Sequence, residues 1–81
     1  MSKNHKKIVK SWDLFEVKIE GLHLQAKDNV RFVYSGKVRA GTVERIGERE
    51  DGSHVIAVET QDGPRNFDAD LVSELSIMEL V

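Results

Sequence analysis

The sequence predicts a mainly β protein: a five-stranded small barrel preceded by an N-terminal helix or strand extension. Three observations carry this expectation. From Asn29 onward, β-branched and aromatic residues recur in short runs separated by glycine-bearing turns. At 81 residues the chain holds one domain. Five short strands with tight turns are best accommodated by closure, which leaves no free sheet edge.

Met1 to Lys10 reads as a flexible basic arm, with Lys3, Lys6, Lys7 and Lys10 and no acid. Residues 11–81 then form a single small barrel domain, of which 11–28 are an N-terminal extension. In that extension Trp12, Phe15, Ile19 and Leu22 fit helical spacing, with Ser11 as N-cap. Phe15, Val17 and Ile19, then Leu22 and Leu24, equally fit strand alternation, and Gly21 interrupts either element. A short helix from Ser11 to Glu20, followed by an extended piece over Leu22 to Gln25, is the reading adopted. Trp12 is expected to close one end of the core.

The strands follow in order. Val30 to Tyr34 is the first and Ser35–Gly36–Lys37 its turn. Val38 to Ile46 is a long second strand, and Gly47 to Gly52 a charged loop. His54 to Thr60 is the third strand, with Asp62–Gly63 as a hairpin signal. Arg65 to Phe67 is a short fourth strand that Pro64 opens. Asp68 can cap one helical turn over Ala69 to Leu71, and Val72 to Ile77 is the fifth strand. The expected core includes Val30, Phe32, Ile56, Val58, Phe67 and Leu75, together with Leu71 and Ile77.

Register in the first hairpin decides where the arginines point. A two-residue loop at Ser35–Gly36 puts Phe32 and Tyr34 on one face with Lys37 and Arg39. A three-residue loop pairs Tyr34 with Val38, Phe32 with Ala40 and Val30 with Thr42. The second keeps one face apolar, and a buried face specifies register strongly. On that basis Arg31, Arg39 and Arg45 are expected together on the opposite face, interleaved with Val33, Gly41 and Val43.

Composition excludes several chemistries. There is no cysteine, so disulfides, thiolate metal sites and cysteine catalysis are absent. His5, His23 and His54 have no metal-ligand spacing. Ser53 and His54 are neighbours on an extended segment and point to opposite faces, so they cannot act as nucleophile and base. Glu48, Glu50 and Asp51 form a charged turn without calcium-loop spacing. The chain is read as non-enzymatic, with no cofactor and no metal. A net charge of −2 excludes a wholly cationic nucleic-acid coat while allowing a local basic patch. No apolar run reaches the ~20 residues that span a bilayer. No apolar h-region follows the start, so a cytoplasmic protein without membrane attachment is expected.

The stretch Val30 to Leu75 resembles the WYL domain, a small barrel of the Src-homology-3 type found in bacterial regulators and phage proteins. Val30–Arg31–Phe32–Val33–Tyr34 matches that family's apolar–Arg–aromatic–x–Tyr opening strand. His54–Val55–Ile56 stands where the family has Trp–Tyr–Leu, and Arg65–Asn66–Phe67 falls on its Arg–x–Phe ending. The resemblance implies a regulatory module in which Tyr34, Arg31 and Arg65 line a pocket for a negatively charged ligand. It lacks the aromatic pair that would stack a base.

The candidate binding residues are therefore Arg31, Tyr34, Arg39, Arg45 and Arg65, helped by Lys6, Lys7 and Lys10. Arginine holds phosphate and carboxylate bidentately. The expected partner is nucleic acid or another anionic ligand. A host or regulatory protein bound by a phage-type effector, and an oligomeric nucleotide sponge, are the alternatives.

Overall fold

The computed structural model describes residues 8–78. Eight strands occur: β1 Val9–Leu14, β2 Glu16–Ile19, β3 Leu22–Gln25, β4 Asn29–Tyr34, β5 Lys37–Arg49, β6 His54–Thr60, β7 Gly63–Asp68 and β8 Ser73–Met78. A single 3₁₀ turn spans Ala69–Leu71, where the sequence placed it. That turn is the sole helix among the described residues, and none is long and apolar enough to cross a membrane.

The five strands expected after Asn29 are β4 to β8. They form an antiparallel sheet in the order β7-β6-β5-β4-β8, and β1 also pairs with β5. The expected closed barrel is not seen: among the described residues no ladder joins β7 to β8. The sheet branches instead, because β5 is long enough to take two partners on one edge. Its first part pairs with β4, from Lys37 opposite Tyr34 to Thr42 opposite Asn29. Its last part pairs with β1, from Ile46 opposite Leu14 to Arg49 opposite Val9. Gly47, Glu48 and Arg49, expected in a loop, are thereby drawn into strand.

The N-terminal extension is strand, not helix. β2 and β3 form a hairpin of their own, Glu16 opposite Gln25 through Ile19 opposite Leu22. Its turn residues Glu20 and Gly21 have φ of 52° and 82°. Positive φ at both centres is the type I′ geometry that matches strand twist. Alternation wins over the helical spacing because Val17, Ile19 and Leu24 all reach the interior and are buried, while Phe15 is left 69% exposed. The expected basic arm lies outside the described residues as far as Lys7, Lys6 included. Val9 and Lys10 already belong to β1.

The core gathers Val30, Phe32, Val43, Ile46, Ile56 and Val58, each at most 1% exposed. Phe67 joins them, with its ring 5.0 Å from Phe32 and 4.8 Å from Tyr34, both edge-on. Such pairs add ~0.5–1.5 kcal/mol beyond burial. Leu75 is buried as expected and Ile77 packs against the core half-buried. Leu71 is an exception at 61% exposed: it ends the 3₁₀ turn on the solvent side, and the C-cap residue Val72 takes the inward place.

Candidate functional site

The first hairpin adopts the two-residue register, which overturns the expected arginine face. Tyr34 lies opposite Lys37, Val33 opposite Val38 and Phe32 opposite Arg39. Ser35 and Gly36 carry φ of 53° and 76°, so this turn too is type I′. The apolar-face argument fails because the hairpin tip extends past the core. Lys37 is exposed there, and Arg39 is only half-buried. Val43, expected outside, is wholly buried.

The four arginines therefore separate. Arg31 is exposed on the outer face, opposite Ala40 on one side and Ser76 on the other. Arg45 is returned to the outer face by a bulge at Glu44, since Val43 pairs with Val58 and Arg45 with Ala57. Its guanidinium stacks on Trp12 at 4.8 Å. Trp12 in turn lies against Gly47, where a Cβ would come within 2.9 Å of the indole. The tryptophan thus covers the outer side of β5 and is not part of the interior core, and it occupies Arg45.

Arg39 and Arg65 come together. Arg39 shares the inner face of β5 with Val43; Arg65 lies opposite buried Val58, on the same side of β7 as Phe67. Both line a cleft of about 290 Å³ between the start of β5 and the β6–β7 turn, with Val38, Thr60, Asp62 and Phe67. That volume is at the low end of small-molecule pockets, ~300 Å³ upward. The Arg39 guanidinium sits 5.8 Å from the centre of the Phe67 ring. Its Nε is buried with no hydrogen-bond partner, and Nη2 makes a long contact of 3.5 Å to the Tyr34 carbonyl. Arg65 donates from Nη1 to the Pro64 carbonyl at 2.9 Å. Among the described residues neither arginine is ion-paired with a carboxylate. A second cleft, of about 350 Å³, lies on the far side of Val38 and is lined by Arg31, Val33 and Glu74.

Tyr34 has a structural place. Its hydroxyl accepts the Asp68 N–H at 3.2 Å, and its ring packs on Phe67. Asp68 makes no side-chain cap on the 3₁₀ turn, contrary to expectation, because its carboxylate is ion-paired with Arg49. Arg49 also reaches Ser53 Oγ at 3.4 Å. Lys10 is exposed on β1, whose partner is the distal part of β5.

Sequence reasoning missed Phe67, Val38 and Thr60 to Asp62 as cleft walls; the hairpin turn expected at Asp62–Gly63 lies one residue earlier, at Gln61–Asp62, because Thr60 pairs with Gly63. The Ser35–Gly36 pair was the available signal: a glycine second in a two-residue loop favours type I′, and that register brings Arg39 to Phe67. Among the described residues no group of three or more His, Asp or Glu side chains is placed to hold a metal ion. No family model matches the chain, and no curated protein or solved structure matches it either.

Proposed function

We propose that this protein is a non-catalytic binding module whose cleft between β5 and the β6–β7 turn takes a phosphate or carboxylate group. Arg39 and Arg65 supply the charge and Phe67 the apolar wall. One observation carries the reading: Arg39 is half-buried over Phe67 with no carboxylate partner among the described residues. A partly desolvated guanidinium without a counter-charge gains from an anion that reaches it. The WYL-like reading of Val30 to Leu75 belongs to the same proposal. It expects an anionic ligand, and Arg65 is the residue common to both arguments. Arg31 lies at the neighbouring cleft and Arg45 is engaged by Trp12, so neither is assigned to this site.

The test is a titration with sodium pyrophosphate at fixed ionic strength, followed by NMR on arginine Nε–H groups and backbone amides. Arg39, Arg65 and the Thr60–Asp62 turn are expected to shift together and saturate, and Arg65→Gln to weaken the effect. Equal, unsaturated shifts at Arg31, Arg45 and the lysines would show charge screening without a site.

A further inference from the structure

We infer that the anionic group is carried by an extended peptide that adds a short strand to β5, with the pattern apolar–acidic–apolar. This rests on the cleft reading above and names its ligand.

The backbone supplies the first argument. In a two-residue hairpin the residues flanking the turn exchange both hydrogen bonds, and bonded and non-bonded pairs then alternate. With Tyr34 opposite Lys37 as the flanking pair, Lys37, Arg39 and Gly41 turn their N–H and C=O groups toward β4. Val38 and Ala40 turn theirs the other way. On that edge β6 reaches β5 only from Thr42, opposite Glu59, onward. Beyond it β6 ends at Thr60 and the chain turns away, which opens the cleft lined by Val38 and Ala40. Among the described residues, these two of an otherwise paired strand have no strand partner on that edge, and present donors and acceptors into the cleft that holds Arg39 and Arg65. Unpaired strand edges are templates for another strand.

Side-chain alternation sets the pattern. A residue directly opposite Arg39 in an added strand points to the Arg39 face. An acidic side chain there meets Arg39 and lies toward Arg65. Residues opposite Val38 and Ala40 point to the outer face, where Val38 is 60% exposed. Apolar side chains fit there. The charge is complementary, since Arg39 and Arg65 outnumber Asp62 among the lining residues.

The probe is acetyl-Ser-Val-Glu-Val-Ser-amide, compared with the same peptide N-methylated at both valines, with pyrophosphate and with pentathymidylate. The peptide is expected to slow hydrogen exchange at the Val38 and Ala40 amides at least tenfold and leave the Arg39 amide unchanged. N-methylation is expected to weaken binding at least tenfold. Arg65→Gln, at an exposed position, should weaken peptide and pyrophosphate alike. If the methylated peptide binds equally and Val38 and Ala40 exchange as before, the strand is refuted and the anion cleft stands. Tighter binding of pentathymidylate, with no protection at those amides, assigns the site to nucleic acid and overturns the peptide. Failure of both peptide and pyrophosphate to move Arg39 and Arg65 overturns the cleft itself.

Discussion

Arg39 stands opposite Phe32 across the first hairpin, so a cation occupies the same face as the aromatic centre of the core. The arrangement holds because the stem can pack while the guanidinium lies over Phe67 at the rim. Replacing Arg39 by Glu sets a carboxylate against the negative face of that ring. Arg39→Glu should lose about 1–2 kcal/mol of stability together with anion binding, whereas Arg31→Glu, on the outer face, should stay within about 0.5 kcal/mol. Urea midpoints of the two variants check this, and equal midpoints would contradict the inward placement.

Phe32 is 1% exposed and its ring meets Phe67 at 5.0 Å. Truncation to Ala should cost about 3–5 kcal/mol, a large part of the stability of a domain this small. The thermal transition followed by circular dichroism should fall far below wild type or disappear. A shift of a few degrees would be incompatible with a core position.

Gly41 is held by space, not by turn geometry. A Cβ there would run into the Glu59 carbonyl and approach Val58 Cγ1 at 2.8 Å. Backbone cannot step aside without parting β5 from β6, so Gly41→Ala should destabilise by about 1–3 kcal/mol. Gly21→Ala meets open space but keeps a φ of +82°, and its cost should be nearer 1 kcal/mol. Denaturant titration of the pair ranks the two mechanisms.

Asp68→Asn removes the charge facing Arg49, whose side chain is 13% exposed. The Arg49 guanidinium then keeps the weaker Ser53 contact, and a loss of about 1–3 kcal/mol is expected. Because the pair is partly shielded, added salt should narrow the gap between variant and wild type little. A gap that closes in molar salt would mark the pair as a surface interaction.

In the free protein the Val38 and Ala40 amides should exchange with solvent faster than the Arg39 amide between them. The alternation of bonding along β5 requires this order. Hydrogen exchange read by NMR tests it without any ligand.

Much of the strand pattern was legible because β-branched runs and glycine turns coincide. His54–Thr60 falls where β6 lies, and the turn Ala69–Leu71 where the 3₁₀ turn lies. The extension was misread because Trp12, Phe15, Ile19 and Leu22 imitate helical spacing while two of them, Phe15 and Leu22, remain exposed. The site was half legible. Arg65 beside Phe67 is local in sequence, but the meeting of Arg39 with Phe67 depends on one residue of hairpin register. The branching of the sheet was not legible, since nothing local reports that β1 takes the second half of β5.

Glu20, in the turn of the β2–β3 hairpin, accepts the Leu75 N–H at 3.0 Å across 55 positions of chain. β4 likewise waits for β8, with Val30 opposite Ile77. Segments that emerge earlier during synthesis are therefore completed by one that emerges later. A nascent chain halted before β8 leaves one edge of β4, and Glu20 in the β2–β3 turn, without these partners. The successive hairpins from β4 to β7 need only near neighbours, but the seam with β8 encloses a long stretch of chain, and the entropy of that closure is spent before its contacts form.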